Sequence, residues 1–116
     1  MDIDSYKKGD YTVFRFREDV VLNSDLADLK KRIERHLAEG ATNIAIAFTR
    51  SSYLYTRSIA MLIACLEMIK DAGGHLAIVE ANNDILDILT VIDFDRMIRI
   101  VGSEEELVSS PSVAQP

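Results

Sequence analysis

The sequence predicts an α/β domain built on a mixed sheet of about five strands. Short apolar or alternating runs take turns along the chain with longer segments whose apolar residues fall three and four apart. The first two strand-like runs are separated only by Gly9-Asp10, and each later run is followed by a helical segment. That order calls for an N-terminal hairpin at the edge of a sheet whose other pairs are parallel. The 116 residues, 48% hydrophobic and 28% charged, suffice for one domain with a single core and no disulfide or metal staple.

Taken in order, "SYKKGD" ends a short first strand and turns through Gly9-Asp10. In "YTVFRFR", Arg15 separates Phe14 from Phe16, and β-branched and aromatic residues fill the run, so it reads as a second strand. "NSDLADLKKRIERHLAEG" is a helix, with Asn23 or Ser24 as N-cap and Asp25 and Asp28 in the first turn. Leu26, Leu29, Ile33 and Leu37 form its apolar face, Gly40 stops it, and His36 is expected on the solvated side. "NIAIAFT" is apolar almost throughout, as in a central strand covered on both faces. The hydroxyl-rich stretch "SSYLYTRS", residues 51–58, then leads into a helix from about Arg57 to Asp71 that ends at Gly73-Gly74. "HLAIVE" is a strand. "NNDILDILTVI" is a helix capped by Asn82 or Asn83, with Ile85, Ile88, Leu89 and Ile92 on its face. "MIRIV" is the last strand, and "SEEELVSS" is a short final helix opened by a serine and three glutamates. A single domain over 1–110 is expected, with 111–116 as a frayed tail.

Several function classes are disfavoured. A net charge of −6 gains nothing from a phosphate backbone, so no nucleic-acid partner is expected. The N-terminus lacks a basic start followed by an apolar run, and no apolar segment nears the ~20 residues of a membrane span. A soluble, cytoplasmic protein without membrane insertion is the expectation. The single cysteine, Cys65, lies in an apolar helix as a buried or half-buried thiol. The only histidines are His36 and His75, and there is no GxSxG elbow, Walker loop or GxGxxG run. Asp93 and Asp95, two apart near a turn, read as solvated loop acids rather than a cation site. No catalytic residue, metal or cofactor is expected, and an interaction module is preferred to an enzyme.

The layout of "NIAIAFTRSSYLYTRSIAMLIACLEMIK", together with "AGGHLAIVEANNDILDILTVIDFDRMIRIVGSEEEL", resembles a STAS domain, the fold of bacterial anti-sigma-factor antagonists. The resemblance covers roughly residues 5 to 109. It implies helices packed mainly on one face of the sheet. In that family a strand ends near an acidic residue, a short loop follows, and the next helix opens with Asp-Ser-Ser/Thr-Gly-Leu. Aligned without gaps, Tyr53-Leu54 fills the aromatic-aliphatic pair before the motif, and Tyr55 stands at the aspartate. Thr56 takes the first hydroxyl, Arg57 the phosphorylated serine and Ser58 the glycine, while Ala47 replaces the acidic residue of the strand.

The loop therefore admits three readings: Thr56 caps the helix, the loop binds a partner without modification, or Thr56 or Ser58 is phosphorylated. One of Tyr53 and Tyr55 is expected to face the core and the other a partner. On the following helix, Ile59, Leu62, Ile63, Leu66 and Ile69 form the core stripe. Met61, Cys65 and Met68 widen the apolar surface, either as core or as a patch awaiting a partner, and such a patch would permit a homodimer. The resemblance implies an anti-sigma-factor antagonist that binds an anti-sigma factor or serine/threonine switch kinase. The contact residues would be Ser52, Tyr53, Tyr55, Thr56, Arg57, Ser58, Met61, Cys65 and Met68. Alternatives are a STAS subunit of a lipid-transport ABC complex, a stressosome-type scaffold or, in another class, a small nucleotide-binding protein or hydrolase.

Overall fold

In the computed structural model, which describes residues 1–109, the sheet runs in sequence order. Strands β1 (Ile3–Lys8) and β2 (Tyr11–Phe16) form the antiparallel hairpin. Strands β3 (Asn43–Ala47), β4 (His75–Val79) and β5 (Arg99–Val101) then add in parallel, each beside its predecessor. Helices α1 (Ala27–Ala38), α2 (Thr56–Asp71) and α3 (Asn83–Val91) are the crossovers, and α4 (Glu105–Ser109) follows β5. The expected tail, 111–116, lies outside the described residues.

Alternation along the strands sorts the core into two layers. Phe14, Phe16, Ile44, Ile46, Leu76 and Ile78 meet the inner faces of α1, α2 and α3. The opposite face is thinner: Val13, Ala45, Ala47, Ala77 and Val79 pack with Tyr11, Val101 and Leu107 of α4. Both faces of β3 are thus covered, which its apolar sequence requires. The mixed five-stranded sheet with helices mainly on one side is the architecture expected.

A polar clasp joins the first two strands to the segment before α4 across this second face. The Arg15 guanidinium donates to Glu80 at 3.0 Å and to Glu104 at 2.5 Å, and the Tyr6 hydroxyl donates to the same Glu104 oxygen. Burial pushes the Glu104 carboxyl up, but the Tyr6 hydroxyl and Arg15 outweigh it and hold it below the usual carboxylate range. Burial, then the bond to Glu104, pushes the Tyr6 phenol above its ordinary value.

Three local expectations are corrected. Neither Asn23 nor Ser24 caps α1: the Ser24 hydroxyl accepts the Val21 N–H at 2.8 Å, closing a tight turn. Asp25 instead accepts from the Ala27 N–H at 2.9 Å. His36 is half-buried, donating from Nδ1 to the Arg32 carbonyl at 2.9 Å and lying edge-on to Phe14 at 5.1 Å. In α2 the buried positions are Ser58, Leu62, Cys65, Leu66 and Ile69, whereas Ile63 is 40% exposed. The apolar arc of α2 is so wide that a small rotation about its axis exchanges Ile63 for Cys65.

Candidate functional site

The segment between β3 and α2 is built on a locked polar underside. Asp19 accepts the Thr49 hydroxyl proton at 2.5 Å. Thr49 has then no proton left, so Ser52 donates to it at 2.6 Å and accepts the Val20 N–H at 2.9 Å. Asn82 closes the other side. Its Oδ1 accepts the Ile85 N–H at 2.9 Å, capping α3, while Nδ2 donates to the Arg50 and Ser52 carbonyls at 2.8 and 2.7 Å. The Tyr53 N–H donates to the Val20 carbonyl at 2.9 Å, and Leu54 is buried as an apolar anchor.

At the helix entrance this scaffold presents the exposed side chains of Tyr53, Tyr55, Thr56 and Arg57, with Arg50 and Ser51 exposed earlier in the loop. Tyr53 and Tyr55 lie two apart on extended backbone, so they share a side and meet edge to face at 4.8 Å. The expectation that one of them enters the core fails for that reason, because Leu54 takes the inward place. Thr56 does not cap α2 either. It is the first helical residue, and Tyr55, at the cap position, offers no side-chain acceptor. The first-turn N–H groups are left with the partial positive charge of the helix end and Arg57 beside them.

The other expected contact residues are drawn away from this surface. Ser52, Ser58 and Cys65 are 2%, 1% and 0% exposed, so none reaches a partner in this conformation. Ser52 belongs to the scaffold, Ser58 faces the core one turn before Leu62, and burial pushes the Cys65 thiol up to about 11. Met61 and Met68 are half-buried against the core, so the apolar patch behind the homodimer expectation is narrow. Thr56 is the one phosphorylation candidate with access to solvent.

Sequence reasoning missed Val21 and Leu22. These side chains are 45% and 69% exposed, and Leu22 and Asn23 share a hollow with Tyr55, Thr56 and Arg57. The available signal was the aliphatic run Val20-Val21-Leu22 set in a polar loop outside any helical or strand period. Among the described residues no group of three His, Cys, Asp or Glu side chains is placed to hold a metal ion. No helix among them is long and apolar enough to cross a membrane.

A hairpin-edged parallel sheet with an exposed helix entrance after its central strand defines an α/β domain of the anti-sigma-factor-antagonist fold. The STAS-domain family matches residues 2–107, and the chain belongs to that family. In fold it is similar to a proposed anti-sigma factor antagonist from Thermotoga maritima, with 20% identity over 90% of each chain and a TM-score of 0.77. It is also similar to the phosphorylated form of the Bacillus cell fate determinant SpoIIAA. There the identity is 13% over 91% of this chain and 96% of that one, with a TM-score of 0.70. The unphosphorylated anti-sigma factor antagonist SpoIIAA aligns over 98% of both chains at 11% identity, with a TM-score of 0.73. No curated protein matches the sequence.

Proposed function

We propose that the protein is an anti-sigma-factor antagonist that docks on an anti-sigma factor or serine/threonine switch kinase through the entrance to α2. The observation that carries this reading is the uncapped start of α2, with Tyr53, Tyr55, Thr56 and Arg57 exposed on a scaffold locked from below. A pre-ordered loop lowers the ordering cost of association, and tyrosine and arginine are the residue types that most often anchor interfaces. Membership of the STAS family supports the reading, and so does the likeness to SpoIIAA in both its forms.

In this proposal Arg57 is a contact residue, because it stands where the family motif has its acceptor serine. The acceptor, if the switch operates, is Thr56. A phosphate there would add about −1.5 to −2 charges at the helix start and pair with Arg57, covering the docking surface. Such a module works in the cytoplasm and catalyses nothing.

The test is calorimetric titration against each anti-sigma factor encoded in the same genome, with phosphosite mapping of the protein from its native cell. Tyr55→Ala and Arg57→Glu are each expected to weaken binding by about tenfold or more. Mapping is expected to find any phosphate on Thr56. Titrations that detect no binding, or variants that bind as the wild type does, would sink the proposal.

A further inference from the structure

A second surface lies beside that entrance. Ile59 of α2 and Ile88, Val91 and Ile92 on the side of α3 line an open groove together with Tyr53. Ile59, Ile88 and Ile92 are half-buried, and Val91 is 82% exposed, the highest value among the exposed large hydrophobic residues described. An aliphatic residue left in water next to a row of half-covered isoleucines is an apolar strip without a cover.

The charge of the groove says what fits it. Its only charged lining groups are Asp84 and Asp87, both exposed and neither in an ion pair among the described residues. Helix α3 contains no lysine, arginine or histidine, so nothing on it offsets the two carboxylates. Asp84 lies one turn before Ile88 and Asp87 one turn before Val91, so the two carboxylates flank the N-terminal end of the apolar strip. From Asp84 to Ile92 the groove follows about 12 Å of the helix, or roughly two turns.

A second copy of the chain fits poorly. Two acidic α3 helices would face one another in a protein of net charge −6. Helix α1, which carries four basic residues against two acidic ones, buries Leu29 and Ile33 in its own core. We infer that the α2–α3 groove docks a short amphipathic helix of another protein, apolar on one face and flanked by lysine or arginine. The inference rests on the partner-binding reading only in treating the protein as a docking module, and its residues are separate from the α2 entrance except for Tyr53.

The probe is a synthetic helical peptide of about 14 residues with leucine on one face and lysine elsewhere, paired with a counterpart carrying glutamate for lysine. Binding is read by NMR shift changes on the isotope-labelled protein. The lysine peptide is expected to move the signals of Ile59, Ile88, Val91 and Ile92, and the glutamate peptide to leave them in place. Asp84→Asn with Asp87→Asn should weaken the lysine peptide by about fivefold to tenfold, and Val91→Asp by a similar factor. Both are surface changes, and an unaltered unfolding midpoint would show that the fold is kept. Arg57→Glu should leave peptide binding unchanged, so a failure of anti-sigma-factor binding with peptide binding intact would overturn the proposed function alone. Shift changes confined to other surfaces would overturn the inference. So would equal binding of the two peptides, or groove shifts produced merely by concentrating the protein.

Discussion

At Ser58 the side-chain oxygen is buried and meets no donor or acceptor among the described residues. Leaving such a group unpaired costs about 1–3 kcal/mol, and alanine is the better helix former. Ser58→Ala is therefore expected to raise the unfolding free energy by about 1 kcal/mol, measured by urea denaturation. A loss of stability instead would mean that the hydroxyl has a partner. The sequence identified Ser58 as one more hydroxyl of a polar loop, because residue type does not record which way a helix is rotated. The same blindness exchanged Ile63 for Cys65 and left Ser52 among the contact residues. Tyr53, Tyr55, Thr56 and Arg57 were legible because they sit at the end of a strand-loop-helix unit whose existence the pattern fixes. Their surroundings were not, since the bonds that lock the loop reach it from two distant segments, Asp19 and Val20 on one side and Asn82 on the other.

The elements themselves were readable wherever periodicity ran long enough. The helix spacing of Ile85, Ile88, Leu89 and Ile92 holds, and of the two candidate caps, Asn82 and Asn83, Asn82 is the one that accepts from the first turn. The starts of α1 and α2 were less so, because serine, threonine and asparagine close turns and lock loops as readily as they cap helices. The Gly73-Gly74 pair shows what the turn signal concealed. A Cβ added at Gly74 would lie 1.7 Å from the Thr42 carbonyl oxygen, so β4 can begin beside β3 only if that position is bare. The neighbouring atoms are backbone and cannot swing aside. Gly74→Ala should lower stability by about 2–4 kcal/mol, with the loss seen in thermal or urea unfolding. A near-neutral result would show that the α2–β4 turn relaxes freely.

Over the whole molecule, the clasp of Tyr6, Arg15, Glu80 and Glu104 ties the first strand to the lead-in of the last helix. Its pH range follows from the two shifts. Glu104 is held below its ordinary 4.5, so its contribution is present above that value and is lost as pH falls through the folded-state value. Tyr6 is raised above 10.0, so its contribution is complete below that value and is lost as pH rises through the folded-state value. Comparing unfolding midpoints of the wild type and Glu104→Gln should give a constant deficit for the variant from roughly pH 5 to 10, shrinking in acid. An unchanging deficit down to strongly acidic pH would show that the carboxylate charge is not what the clasp uses. The order of the strands has a further consequence for how the chain is made. Since every strand pairs with the one synthesised just before it, the sheet can grow from the hairpin as the chain leaves the ribosome. Each new strand closes only a short crossover, which favours quick folding. Until β5 arrives, the open edge of β4 is the place where a stalled or truncated chain would meet another and aggregate.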